Sequence, residues 1–270
     1  MTTTHTRLAG VLDAIPSRIV ACSGGIDSLL LATVTHRHDP KATVVAHTVT
    51  PAVPGEGTAR VIDYAKREGW NLSIVRSDEF SDERYLSNPT DRCYFCKTHL
   101  YDAVDAIRGE IDDANAVVLS GANLDDLSDY RPGLIAADEH SVRHPYVEAE
   151  ISKADIRALA HDLSLVEAEL AASPCLASRL YTGTRVTPGR LKAVEAGEAV
   201  VRRRAEIDVA RCRLRDDDVL IEVPDDLRGR VAADVVADVE LAMRSVYPQL
   251  GTVQLDANPY KQGRAVLRML

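Results

Sequence analysis

Along the first 120 residues, short runs of β-branched and apolar residues alternate with stretches of helical spacing, a pattern that few folds satisfy. Residues 18–22 (R-I-V-A-C), 42–49 (A-T-V-V-A-H-T-V), 72–75 and 116–120 (A-V-V-L-S) read as buried strands. Residues 27–38, 58–68 and 96–107 read as the helices between them. Nearly continuous apolar strands separated by helices form a parallel sheet covered on both faces. The predicted fold class is therefore α/β, a doubly wound parallel sheet. Only 4% of the chain is aromatic, so aliphatic side chains must fill the core. In such sheets ligands bind beyond the carboxyl ends of the strands, where the strand order reverses. Gly24-Gly25 and Gly121 each follow a predicted strand and fall at that edge.

Residues 55–57 (G-E-G) read as a break, and 77–91 as a polar loop with at most one helical turn. Ser152-Lys153-Ala154-Asp155 is a capping box that opens a helix to about residue 163. After residue 179 the pattern changes. Thr187-Pro188-Gly189 starts a helix to about residue 204, followed by strands at 208–214 and 219–223, a helix at 227–243, and strands at 252–255 and 265–269. Two domains are predicted, 1–180 and a smaller α+β domain at 185–270. The first ten residues are polar and no run approaches membrane-spanning length, so the expectation is a cytoplasmic protein that is not embedded in a membrane. The balance of 32 basic against 41 acidic residues disfavours general nucleic-acid binding, which depends on neutralising phosphates.

The densest local signal is Ser23-Gly24-Gly25-Ile26-Asp27-Ser28, between a strand and a helix. Two glycines permit a tight turn and close backbone approach, and the amides at the helix start form an anion site. No lysine accompanies the turn, which separates it from the lysine-bearing P-loop. The five cysteines raise a second question. An odd count in a chain with no signal segment points to metal or thiol chemistry rather than a disulfide framework. Cys93 and Cys96 form a C-x-x-C pair, and Cys175 lies in a Pro-broken loop with Arg179 four residues on. That setting suits a ligating or reactive thiol. Cys22 and Cys212 read as packing residues, and the histidines show no ligand spacing. Arg211 and Arg213 alternate about Cys212, so both face one side of a strand and could clamp a phosphate; a solvated basic face reads equally well from the residues alone.

The hexamer resembles the S-G-G-x-D-S signature of the PP-loop ATP pyrophosphatases. R-C-Y-F-C-K-x-x-L-Y, G-A-N-L-D-D-x-x-D-Y-R-P-G and P-C-L-A-S-R follow it in order. Together they resemble the ATP-dependent sacrificial sulfur transferase (LarE) family, over residues 18–180 and more weakly to 223. The resemblance implies a Rossmann-like, adenine nucleotide alpha hydrolase-like fold. It also implies ATP and Mg²⁺ at Ser23, Gly24, Gly25, Asp27, Ser28, Gly121 and Asn123, with Asp27 also catalytic. The implied substrate is pyridinium-3,5-dicarboxylate mononucleotide, whose carboxylates become thiocarboxylates in nickel-pincer nucleotide synthesis. Its phosphate would sit on Ser178, Arg179, Arg211 and Arg213. Glu222 also falls on a family position. Cys175 is implied as the sulfur-handling residue and, with Cys93 and Cys96, as a ligand of a [4Fe-4S] cluster, as in three-cysteine members. A sulfide or other sulfur source and a homo-oligomer follow from the same resemblance. Two rival readings are a tRNA thiolase of the same superfamily and a non-catalytic nucleotide-binding protein with a structural metal.

Overall fold

The computed structural model describes residues 2–110, 115–128 and 131–266. In chain order the helices are α1 (Thr3–Asp13), α2 (Ile26–His38), α3 (Gly55–Glu68), α4 (Glu83–Leu86), α5 (Arg92–Glu110), α6 (Pro132–Glu139), α7 (Pro145–Glu148), α8 (Lys153–Asp162), α9 (Pro188–Ala205) and α10 (Ala233–Val246). The strands are β1 (Arg18–Ala21), β2 (Thr43–Thr48), β3 (Leu72–Val75), β4 (Val117–Leu119), β5 (Arg211–Arg215), β6 (Asp218–Glu222) and β7 (Val253–Leu255). They form two compact units, one of residues 1–79 and 93–173, the other of 80–92 and 174–270.

In the first unit the sheet order is β3-β2-β1-β4 and every pairing is parallel. The side-chain period of two divides its apolar residues between two cores. Val20, Val45 and Leu119 pack with Leu8 and Leu12 of α1, Leu29 and Leu30 of α2, and Ile156 and Leu159 of α8. Ile19, Val44, Ala46 and Val118 pack with Tyr101, Val104 and Ile107 of α5 and with Ala136 and Ala137 of α6. Helices thus cover both faces, which is the doubly wound arrangement. The chain reverses direction across the sheet between β1 and β4, so the loops after these two strands flank the switch point.

Two local readings are corrected and one helix is added. The glycines at 55–57 do not break the chain; they are the first turn of α3, which Gly69 closes at φ 69°. Segment α1 escapes the sequence pattern because only Leu8 and Leu12 are buried on it, a stripe too narrow to stand out. The helix carrying Cys93 and Cys96 starts at Arg92 rather than at residue 96. Of the strand predicted at 265–269, residues 265 and 266 are not in a strand, and 267–269 lie outside the described residues.

The second unit is a mixed sheet of order β5-β6-β7, with β5 and β6 antiparallel and β6 and β7 parallel. Helices α9 and α10 pack on each other, and α9 packs on β5. Gly197 permits that approach, since a Cβ there would lie 2.7 Å from Met243 Sδ and 2.9 Å from Cys212 Sγ. Segment 80–92, which reads as a polar loop, belongs here. Asn88 is fully buried and its Nδ2 donates to the carbonyls of Tyr181 (2.8 Å) and Thr184 (2.9 Å). Val186 N donates to Leu86 O at 2.9 Å. Among the described residues no helix is long and apolar enough to cross a membrane.

Candidate functional site

The turn between β1 and α2 is built by close backbone contact. Gly24 has φ 82°, and a Cβ on it would lie 2.3 Å from Gly57 O at the start of α3. Only glycine meets both demands. Ser28, buried in the first turn of α2, ties the turn together: its Oγ donates to Gly25 O (3.0 Å), accepts from Ser23 N (3.1 Å) and lies 3.2 Å from Ser23 Oγ. Gly25 caps α2 without any side-chain bond, so the first amides of the helix have no acceptor within it. Together these features leave the first amides of α2 exposed to a ligand at the carboxyl edge of β1.

The loop after β4 packs against this turn. A Cβ on Gly121 would come within 3.1 Å of Asp27 C and Ser28 N, so glycine is needed there as well. Asn123 is buried and its Oδ1 accepts from Asp125 N at 3.1 Å. The Asp27 carboxylate pairs with Lys153 Nζ, and the Asp27 carbonyl accepts from the Tyr146 hydroxyl at 3.0 Å. Lys153 is held in turn at its backbone, where its N donates to Asp125 Oδ2 at 2.6 Å. Of the expected nucleotide residues, Ser23, Gly24, Gly25, Asp27, Ser28, Gly121 and Asn123 all lie at this one edge.

Lys153 and His47 carry no functional signal in the sequence. The capping box signalled only a helix start at Lys153, and His47 gave no spacing signal at all. His47 is fully buried on β2, with Nδ1 2.8 Å from Cys22 O and Nε2 2.9 Å from Thr58 Oγ1. Burial pulls its pKa below the ordinary value and favours the neutral ring, which ties the end of β1 to α3.

Cys93 and Cys96 lie three residues apart in the first turns of α5, hence on one face of that helix. Cys93 is exposed and Cys96 half-buried, and neither is in a disulfide. Within the first unit no three described His, Cys, Asp or Glu side chains gather as a metal site, so this pair supplies at most two donors there. Cys175, in the second unit, is half-buried and caps the 3₁₀ turn Leu176–Arg179. By contrast, burial pushes the Cys22 thiol up to about 11 and raises Cys212 well above its ordinary value, which fits packing residues.

The second unit brings the expected phosphate residues together. Arg179 is 3% exposed and forms a two-pronged pair with Glu198, both bonds 2.9 Å. Its third nitrogen donates to Pro174 O (2.6 Å), Cys175 O (3.1 Å) and Ser178 Oγ (3.1 Å), which fixes the Cys175 loop. Arg213 pairs with the fully buried Glu222 at 2.9 Å and donates to Ser178 O at 2.9 Å. Glu222 accepts a second guanidinium, that of Arg264, at 2.9 Å. Arg211 and Arg213 both lie over the Tyr260 ring, 5.4 and 5.9 Å from its centre, so they share one face of β5. Burial, then the neighbouring Arg179 charge, pulls the Arg211 pKa down.

No protein-family model matches the chain. It is 31% identical over 267 residues to the pyridinium-3,5-bisthiocarboxylic acid mononucleotide synthase of Lactiplantibacillus plantarum, covering 98% of this chain and 94% of that protein. It is 32% identical over 249 residues to an uncharacterized protein of Synechocystis, covering 91% and 90%. An uncharacterized protein of Methanocaldococcus jannaschii is 29% identical over 211 residues, covering 77% and 78%.

Proposed function

The chain belongs to the pyridinium-3,5-bisthiocarboxylic acid mononucleotide synthase (LarE) family, and from that premise we propose that it is an ATP-dependent sulfur transferase acting on pyridinium-3,5-dicarboxylate mononucleotide. The observation that carries the reading is the glycine turn at the sheet's switch point, braced by Ser28 and backed by Gly121. ATP lays its phosphates on that turn. A substrate carboxylate oxygen attacks the α-phosphorus, and pyrophosphate departs onto the amides of residues 24–27. The acyl-adenylate so formed has the leaving group a free carboxylate lacks. A sulfur nucleophile then displaces AMP and leaves a thiocarboxylate. Ser178, Arg179, Arg211 and Arg213 hold the substrate phosphate.

Asp27, a hard oxygen donor beside the turn, fits Mg²⁺, which neutralises phosphate charge when bound. Cys93, Cys96 and Cys175 are thiols outside disulfides with accessible surface, and thiolates are the ligands that iron–sulfur clusters take. A [4Fe-4S] cluster on them would supply a renewable sulfide; without one, the Cys175 thiolate displaces AMP to form a thioester, and loss of the Cys175 Cα proton with cleavage of its Cβ–Sγ bond frees the thiocarboxylate and leaves dehydroalanine.

The test is incubation of oxygen-free protein with ATP, Mg²⁺, sulfide and the dicarboxylate mononucleotide. AMP, pyrophosphate and a product carrying sulfur in place of carboxylate oxygen are expected. No AMP formation would sink the reading, and turnover stimulated by tRNA would favour the thiolase rival. Iron and acid-labile sulfide, about four of each per chain and lost in Cys175→Ala, support the cluster; zinc in their place argues against it.

A further inference from the structure

The glycine turn lacks a lysine of its own, and an ATP polyphosphate carries several negative charges. The chain is acidic overall, at −9, and Lys153 beside the turn is already paired with Asp27, so a further cation at the turn would meet phosphate charge that these do not. We propose that Arg60, which nothing in the motif names, contacts the pyrophosphate half of the nucleotide. The inference rests on the nucleotide reading of the turn and deepens it.

Arg60 lies one turn into α3, the helix whose first residues press against Gly24. Its Nε donates to Gly24 O at 3.0 Å, which anchors the guanidinium to the turn itself. Its Nη2 would lie 3.9 Å from a Cβ placed on Gly57, so the fork lies along the Gly24–Gly57 contact. The side chain is only part-buried, and among the described residues no carboxylate pairs with it. Several other arginines of this unit do have such partners, among them Arg37 with Glu68, Arg131 with Asp126 and Arg143 with Glu148; what distinguishes Arg60 is its tether to the turn itself. A guanidinium tethered by one nitrogen, with its remaining donors unmatched by a carboxylate, is prepared for a forked bond to phosphate oxygens.

The experiment measures binding of pyrophosphate, ATP and AMP, with Mg²⁺, to the wild-type chain and to Arg60→Ala, Arg60→Gln and Arg60→Lys. Arg60→Ala and Arg60→Gln are expected to weaken pyrophosphate and ATP about ten- to hundredfold, the scale of one charged hydrogen-bonded contact. AMP is expected to change less than about twofold, and Arg60→Lys to recover part of the loss. If Arg60→Ala does not fold, Arg60→Gln against Arg60→Lys carries the same comparison. Wild-type pyrophosphate affinity in the charge-free variants overturns the proposal. So does equal weakening of AMP and pyrophosphate, which would make Arg60 only a brace for Gly24. A wild-type chain that binds none of the three refutes the nucleotide reading itself, and this inference falls with it.

Discussion

Two adjacent glycines in the turn make different demands, and substitution separates them. Gly24 combines φ 82° with a backbone contact at 2.3 Å from any added Cβ, whereas a Cβ on Gly25 would meet nothing nearer than Ser23 Oγ at 3.8 Å. Gly24→Ala is expected to cost about 1–3 kcal/mol and to abolish nucleotide binding, because the turn must move away from α3. Gly25→Ala is expected to stay within about 1 kcal/mol of wild type. Urea unfolding and ATP titration read both effects, and equal behaviour of the two variants would contradict this account of the turn. The hexamer was legible in the sequence because its residues are contiguous and sit after a strand. Lys153, 126 residues from Asp27, was not, because only the parallel sheet brings the start of α8 to the turn.

At the level of elements, β2 and β6 each bury one ionisable side chain, with opposite chemistry. Burial holds His47 on β2 below its ordinary value of 6.5. Between that value and the lower native one, the unfolded chain binds a proton that the native chain refuses. The contribution of His47 is therefore complete above the ordinary value and is lost as pH falls through this window. The urea midpoint of the wild type should fall more steeply from about pH 7.5 to about pH 5.5 than that of His47→Gln. Parallel curves would show that another group governs the change. On β6, Glu222 is fully buried between Arg213 and Arg264. Glu222→Gln leaves two guanidiniums with an uncharged partner, at a cost of about 3–5 kcal/mol, readable as a lowered denaturation midpoint. Alternation in R-C-R placed Arg211 and Arg213 on one face correctly. It could not reveal that Glu222 pairs with Arg213 or that Glu198 pairs with Arg179, because those carboxylates come from β6 and α9 and meet their partners only after the fold forms.

Across the whole molecule, the two units do not follow a single cut in the chain. The sequence suggests a division near residue 180, where the strand–helix rhythm changes, and segment 80–92 reads as a polar loop of the first part. Its hydrogen bonds lie elsewhere. Asn88 donates to the carbonyls of Tyr181 and Thr184, Gly183 N donates to Asn88 O at 2.9 Å, and Tyr85 is 1% exposed. Polarity hid this segment, since a buried Asn whose amide is consumed by carbonyls looks in sequence like any turn residue. Cooperative stability follows contacts rather than chain position. Native-state hydrogen exchange should therefore group the amides of Asn88, Gly183 and Val186 with β5 and β6, not with β1 to β4. Glu222→Gln sharpens the test, because it weakens the second unit at a residue remote in sequence from 80–92. Protection at Asn88 is expected to fall with that of β5 while Val20 and Val45 keep theirs. If Asn88 instead holds its protection alongside Val20, segment 80–92 is stabilised by the first unit, and the division drawn from its hydrogen bonds is wrong.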